Sequence, residues 1–296
     1  MSVTPEILKI TTKSQRKHLS KFLHNNFFNH GMEPIATMMS EPGTHPFGKV
    51  FSDILVDKWC PGEKDDGKCI VAVMRPTETE AADKFDPVCW LNAELNTAEY
   101  FLQDIIAGQP ENITFRFFYN FVGRSLIRLI KMGLQEDASI SKNMNRLGYK
   151  KKSDMPDPNL TLNTADIFER ITDFKNLGTK EFFEGLCDVD KSSKVLYIKC
   201  CTTSQDHQRK GYGFRLAEAV VDFARKEKAT NENSNLQHII VEATGVGTAK
   251  IYKKLGFELK AFSEYGKHLG VSVPDNEVNR EVVRVHKGCS FFHLKL

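Results

Sequence analysis

The chain has 296 residues, of which 27% are charged and 41% hydrophobic, and its formal net charge is +3 at pH 7. This composition is typical of a globular protein of one large or two modest domains, and it excludes a disordered, collagen-like or strongly charged chain. With so small a net charge, neither a nucleic acid nor any other partner is predicted from charge alone.

The cysteines and the apolar stretches indicate the compartment. The seven cysteines form no C-x-x-C pair or other spacing expected of a zinc site, so we expect reduced thiols and no metal. The first thirty residues contain no continuous apolar stretch of signal-peptide length. The longest apolar stretch, at 113–134, is interrupted by arginines, so we expect no membrane span. These features favour a soluble cytoplasmic protein and predict no particular oligomeric state.

The N-terminal third predicts strands and helices in alternation. A short strand at 7–11 precedes a helix that begins near the capping candidate Ser14, and Pro34 marks the start of a second helix. Strand-like runs follow at 69–74 and 88–95, each after a turn-rich segment. Their order suggests an antiparallel meander.

Residues 97–190 are expected to be mostly helical. Within 113–134 polar residues recur every three to four positions, which predicts a basic amphipathic helix. Such a helix could lie on a membrane or an acidic partner, but a core helix with a solvated basic stripe is the simpler interpretation. Residues 150–163 begin with three consecutive lysines and contain two prolines, which is typical of an exposed linker.

The last third has the clearest pattern. It predicts a strand at 195–203, a glycine-bearing turn, a helix at 213–228, a strand at 238–243, a short helix at 248–255, and strands near 257–265 and 289–296. This β-α-β-α-β-β order predicts a mixed sheet with helices covering its faces.

The turn in this region is a candidate anion site. It consists of Gln208, Arg209, Lys210, Gly211, Tyr212 and Gly213. The two glycines allow the backbone to turn tightly and to expose amide N–H groups at a helix N-terminus, which favours a phosphate. Arg209 and Lys210 add positive charge. The same residues also fit an ordinary strand-to-helix turn, and neither dinucleotide nor Walker spacing is present.

A second motif follows the next predicted strand. It reads Thr248-Ala249-Lys250-Ile251-Tyr252-Lys253-Lys254-Leu255-Gly256-Phe257. Together, the two motifs resemble the acyl-CoA-binding core of the GCN5-related N-acetyltransferase (GNAT) superfamily, over about residues 195–265. The resemblance implies an α/β GNAT fold, with a mixed, mostly antiparallel central sheet, splayed central strands, helices on both faces and a helical insertion at about 97–190. It also implies that residues 1–296 form a single acyltransferase domain.

The resemblance further implies which residues bind acetyl-CoA as cosubstrate. In the superfamily the pyrophosphate lies on the glycine turn and the pantetheine runs between two splayed parallel strands. The implied binding residues are Cys201, Thr202, Thr203, Gln208, Arg209, Lys210, Gly211, Tyr212, Gly213 and Tyr252. Tyr252 lies where the superfamily often places the acid that protonates the departing thiolate. The alternative is a core tyrosine whose hydroxyl meets a backbone group.

The N-terminal region carries a narrower resemblance. Residues 27–35, Phe-Phe-Asn-His-Gly-Met-Glu-Pro-Ile, are similar to the Phe-Phe-x-x-Glu-Pro-Leu segment of insect- or nematode-type arylalkylamine N-acetyltransferases. The glutamate of that segment is the proposed general base, which implies this role for Glu33. Two assisting hydroxyl residues correspond to Thr244 and Thr248, which could instead cap the helix that begins there. Residues 262–265 resemble the aromatic-acidic-Tyr stretch of that family.

Other assignments remain open for the chemistry. Glu33 could be only a carboxylate at a helix N-terminus, with His30 as a neighbouring base. Cys200 and Cys201 lie beside the implied path of the cosubstrate and suggest an acyl-cysteine intermediate, although direct transfer is commoner in the superfamily. Cysteines beside such a path usually act as small hydrophobic residues.

The two resemblances imply an enzyme that transfers an acetyl or other short acyl group from CoA to a small primary amine, most simply an arylalkylamine, by direct attack on the thioester. The alternatives are an amino acid, a polyamine or a protein amine as acceptor, and a non-catalytic acyl-CoA-binding module. An acidic acceptor groove would favour a polyamine or a basic peptide.

Overall fold

A computed structural model describes residues 3–8, 12–28, 34–39, 52, 56, 60, 69–76, 87–101, 189–231, 234–271 and 273–296. Most of the predicted insertion lies outside the described residues, including the helix at 113–134 and the linker at 150–163.

The described residues form a sheet and several helices. The strands are β1 (Val3–Leu8), β2 (Cys69–Pro76), β3 (Cys89–Thr97), β4 (Lys194–Thr203), β5 (Leu236–Ala243), β6 (Glu258–Glu264) and β7 (Gly288–Lys295). The helices are α1 (Lys13–Leu23), α2 (Pro34–Met39), α3 (Tyr212–Thr230), α4 (Val246–Lys254) and α5 (Glu277–His286). Short helical turns lie at His24–Phe28, Gln205–His207 and Tyr265–His268.

The strands form one mixed sheet in the order β1-β2-β3-β4-β5-β7-β6. β4 and β5 are parallel, and every other neighbouring pair of these strands is antiparallel. The parallel pairing ends at Ile198 and Val241, whereas β4 continues along β3 to Thr203 and β5 continues along β7 to Ala243. The two central strands therefore separate at their carboxyl ends. The β3–β4 register shifts at Lys199, where this separation begins.

Helices cover both faces of the sheet, because side chains alternate along each strand. On one face α3 and α4 pack against Leu196 and Ile198 of β4, and we call this the α3–α4 face. On the opposite face α2 and α5 pack against Val195 and Tyr197, and α1 packs against Cys200. The predicted GNAT-type sheet, mixed and mostly antiparallel with splayed central strands and helices on both faces, is confirmed.

Tertiary pairing moves several predicted boundaries. β1 is Val3–Leu8 rather than 7–11, because it pairs with β2 along its whole length. α1 begins after Thr12 rather than at Ser14. Thr12 and Gln15 form a capping box in which each side chain accepts a hydrogen bond from the other residue's backbone N–H at 3.1 Å.

The predicted ending of two consecutive strands is wrong, because α5 lies between β6 and β7. Asn276 caps α5 by accepting a hydrogen bond from the Asn279 N–H at 2.8 Å. Only Asn279 and Val282 of this helix are buried. Val278, Val282 and Val285 nevertheless recur at helical spacing, so the sequence did contain a signal for this helix.

Candidate active site

The glycine turn connects β4 to α3. Gly211 is the N-cap of α3 and has a φ of +79°, and Arg209 has a φ of +59°. Left-handed residues within such a turn are typical of a backbone nest that binds anions. Among the described residues no side chain at the N-cap accepts a hydrogen bond from the first amides of α3, and a Cβ on Gly211 would meet no atom within 4 Å. Arg209 and Lys210 are exposed beside these amides.

Gly213 brings α3 close to the end of β4 and to α4. A Cβ at this position would lie 3.4 Å from Ile251 Cδ1, 3.6 Å from Thr203 Oγ1 and 4.0 Å from Cys201 Sγ. Glycine therefore sets a close approach here, where any larger side chain would occupy the space between the three elements. The fold thus places the turn, the end of β4 and α4 around one point.

Tyr252 follows Ile251 on α4, next to this close approach of α3, β4 and α4, and is only 1% exposed. Its ring packs edge-to-face against Phe257, with 5.1 Å between centroids. Its hydroxyl has no hydrogen-bond partner in the described part of the chain, so the interpretation of a hydroxyl bonded to a backbone group gains no support. Burial, together with nearby Cys201, raises the pKa of Tyr252 well above its usual value. The hydroxyl therefore keeps its proton at neutral pH and can act as a donor.

Three cysteines lie near the Tyr252 hydroxyl. Cys89 Sγ is 3.2 Å from Thr203 Oγ1 on the neighbouring strand. A hydrogen bond with Cys89, together with burial, raises the pKa of the Cys201 thiol well above its usual range. A protonated thiol is a poor nucleophile, so this raised pKa disfavours an acyl-cysteine route through Cys201.

Asn26 attaches the N-terminal region to the end of β4. Thr202 Oγ1 donates to the Asn26 carbonyl at 3.4 Å, and the Gln205 N–H donates to Asn26 Oδ1 at 3.2 Å. Thr202 is buried on the face opposite the glycine turn, so its side chain does not face the turn. Sequence reasoning missed Asn26, and the one available signal was its position directly before the aromatic pair at 27–28.

The start of α4 corrects a predicted role. Gly245 is the N-cap, so neither Thr244 nor Thr248 caps this helix. Instead, the Val246 N–H donates to Nδ1 of His286, at the end of α5, at 3.4 Å. Burial lowers the pKa of His286, which favours the neutral ring that can accept this bond. Nothing in the sequence pointed to His286.

The start of α2 lies beside the start of α4. A Cβ on Gly245 would lie 3.9 Å from Pro34 Cγ. Tyr265 Oη donates to the Thr244 carbonyl at 2.6 Å and holds this end of β5. Pro34 follows Glu33 in the chain, but Glu33 and His30 lie outside the described residues.

Two general properties concern the described residues as a whole. Within them, no three His, Cys, Asp or Glu side chains are grouped so that they could hold a metal ion. No helix in the same ranges is long and apolar enough to cross a membrane.

Comparison with known proteins identifies the fold. The family model of the Acetyltransferase (GNAT) family matches residues 178–257, which contain the glycine turn and the Tyr252 segment. Among curated proteins no sequence matches.

Solved structures match over nearly the whole chain. An agmatine N-acetyltransferase in its apo form has a TM-score of 0.53 and 14% identity, with 99% of each chain covered. A mosquito arylalkylamine N-acetyltransferase like 5b has a TM-score of 0.52 and 13% identity, with 100% of each chain covered. Arylalkylamine N-acetyltransferase 2 from Aedes aegypti has a TM-score of 0.52 and 14% identity, with 98% of each chain covered. The chain therefore has the GNAT fold, and its residues 178–257 match the model of the GNAT family of acetyltransferases.

Proposed function

We propose that the chain is an acyl-CoA-dependent N-acyltransferase that transfers an acetyl or short acyl group to a small primary amine, with arylalkylamines as the preferred class. The observation that carries this proposal is the buried, protonated hydroxyl of Tyr252, which has no hydrogen-bond partner in the described ranges. It lies near Cys201, beyond the point where β4 and β5 separate.

The turn and the strand end suit acetyl-CoA as the cosubstrate. The amides at Gly211, with Arg209 and Lys210, would hold the pyrophosphate, and Gln208 and Tyr212 flank them. Among the described strands, the β5 side of β4 has no partner beyond Ile198, which leaves the backbone of residues 201–203 on that side for amide-bearing ligands. No metal is part of this proposal.

The amine must lose a proton before it attacks. An alkylamine with a pKa near that of lysine, about 10.4, is mostly protonated at pH 7, so forming the neutral amine costs roughly 4 to 5 kcal/mol. We assign the proton acceptor to Glu33, with the hydroxyls of Thr244 and Thr248 assisting. The position of Pro34 beside the start of α4 supports this assignment.

The remaining steps involve the end of β4 and α4. As the N–C bond forms, a backbone N–H near Thr203 would stabilise the oxyanion. As the C–S bond breaks, Tyr252 would donate its proton to the departing thiolate, which resembles a cysteine thiolate with a pKa of about 8.5. Because its pKa is raised, the Tyr252 hydroxyl stays protonated until the C–S bond breaks.

We also propose that residues 1–296 fold as one acyltransferase domain, with 97–190 as an insertion. The pairing of β3 with β4 supports this, because these strands lie on either side of the insertion and belong to the same sheet.

Two measurements test the proposed function. Isothermal titration should detect acetyl-CoA binding, and a thiol-release assay over arylalkylamines, polyamines and amino acids should give turnover, highest with arylalkylamines. Binding without turnover on any amine would instead favour a non-catalytic acyl-CoA-binding module, and turnover highest on polyamines would overturn the preferred class.

A matched pair of glycine variants locates the cosubstrate site. Gly211→Val should weaken acetyl-CoA binding, because a β-branched side chain would fill the space at the turn. Gly270→Val imposes the same kind of backbone strain, at a φ of +73° and with no atom within 4 Å of its Cβ, but away from the turn. It should leave the affinity unchanged. If Gly211→Val bound acetyl-CoA as tightly as Gly270→Val does, the turn would not be part of the binding site.

A further inference from the structure

A polar cluster lies on the face of the sheet opposite the α3–α4 face, where β3, β4 and β5 meet. Tyr197 Oη donates to Glu242 Oε1 at 2.5 Å. The Lys199 ammonium pairs with the Glu94 carboxylate and lies 5.8 Å from the centre of the Tyr197 ring. The side chains of Lys199 and Glu94 are only 15% and 20% exposed. These four side chains form a partly buried network rather than a solvated surface.

Glu242 occupies a defined place in this network. It is the first β5 residue beyond the last β4–β5 pair, which joins Ile198 and Val241. It is paired instead with Phe291 of β7, whose side chain belongs to the core of the opposite face. Glu242 therefore lies where β5 separates from β4, two residues before Thr244.

The chemistry of the cluster favours a cation. It contains two carboxylates and one ammonium, so one negative charge is in excess. Charges act more strongly in such a partly buried setting than in water. The 2.5 Å contact from Tyr197 is typical of a hydroxyl that donates to an ionised carboxylate, and it orients Glu242.

We propose that Glu242, oriented by Tyr197, is the anionic contact for the amine substrate. It binds the positively charged nitrogen, so the site selects amines that are protonated at neutral pH over amines that are uncharged. Glu242 is a specificity-determining residue in this account and takes no proton. The proposal rests on the N-acyltransferase activity proposed above.

The test compares Glu242→Gln with wild type on two amines, 2-phenylethylamine, which is protonated at pH 7, and aniline, which is not. The variant should raise the KM for 2-phenylethylamine by about tenfold to a hundredfold, since a charge-assisted hydrogen bond is lost. The KM for acetyl-CoA and all constants for aniline should stay near wild-type values. Tyr197→Phe should change the same KM in the same direction, but less, because it leaves the carboxylate in place.

Glu258→Gln serves as the control for loss of a carboxylate. Glu258 is exposed on β6 and pairs with Lys260 at 2.6 Å, remote from the cluster in the sheet order. It should not change either KM.

Three outcomes would overturn the inference. Equal losses with both amines, together with a lower melting temperature, would make Glu242 a structural residue. A lower kcat with an unchanged KM would assign it to proton transfer. Calorimetric binding of 2-phenylethylamine, measured without turnover, would contradict the contact if wild type and Glu242→Gln bound it equally. Absence of thiol release with every amine in wild type would instead refute the proposed function, whatever the binding result.

Discussion

Removing the hydroxyl of Tyr252 should stabilise the protein and impair catalysis. The hydroxyl is buried and has no hydrogen-bond partner among the described residues, and such a group costs about 1 to 3 kcal/mol of folding free energy. Phenylalanine keeps the ring contacts with Phe257 and Phe292. Tyr252→Phe should therefore raise the free energy of unfolding by up to that amount, or the melting temperature by roughly 2 to 4 °C per kcal/mol.

Turnover should move in the opposite direction. If Tyr252 protonates the departing thiolate, its loss should lower turnover by roughly 10² to 10⁴, the usual range for general acid–base catalysis. The deficit should shrink with an acyl donor whose thiol is a better leaving group, because that thiolate needs less help from an acid. Acetyl-CoA affinity should remain nearly unchanged.

Tyr265→Phe is the matched control for the stability measurement. Tyr265 is equally buried, but its hydroxyl donates to the Thr244 carbonyl at 2.6 Å. Its removal should lower the free energy of unfolding by about 1 kcal/mol, opposite in sign to Tyr252→Phe. Denaturant titration of both variants, together with thiol-release rates for Tyr252→Phe, tests whether the Tyr252 hydroxyl acts in catalysis or in stabilising the fold. A destabilised Tyr252→Phe with normal turnover would refute the reasoning, because the hydroxyl would then be a structural hydrogen-bonding group.

Three further predictions concern charge. Replacing both Arg209 and Lys210 with alanine should raise the KM for acetyl-CoA more than that for the amine, and added salt should have the same effect on wild type; a selective change in the amine KM would place these residues beside the acceptor. Glu33→Gln should lower turnover at pH 7 by roughly 10² to 10⁴, with a deficit that shrinks at high pH where the neutral amine is abundant; near-normal turnover at pH 7 would exclude Glu33 as the base. Burial lowers the pKa of the His293 imidazole to about 4 in the folded chain, compared with roughly 6.5 in the unfolded chain. The stability that the neutral imidazole contributes is therefore complete above about pH 6.5 and is lost as the pH falls towards 4. Between pH 4 and 7 the unfolding midpoint should change with pH differently in wild type and in His293→Asn, and the same pH dependence in both would contradict this.

The sequence alone determined those parts of the protein that depend on a few consecutive residues. The turn from β4 to α3 is an example, because a φ of +79° at Gly211 is a local requirement that only glycine meets easily. The start of α2 at Pro34 is another, since proline is favoured in the first turn of a helix. The strand and helix periods of β4, α3, β5 and α4 were readable for the same reason, although their ends shifted by a few residues. The role of Glu33 remains a prediction.

Only the tertiary structure decided how the site is assembled, because its contacts join residues far apart in the chain. Asn26 meets Thr202 across 176 positions, and His286 meets Val246 across 40. β4 separates from β5 because β4 continues along β3 while β5 continues along β7. No local sequence pattern predicts where these pairings end. The same holds for the pairing of Tyr197 with Glu242 and for the unpartnered hydroxyl of Tyr252 within the described residues. Strand register and helix placement set these distances, and both follow from burial of the whole core rather than from the residues that carry the chemistry.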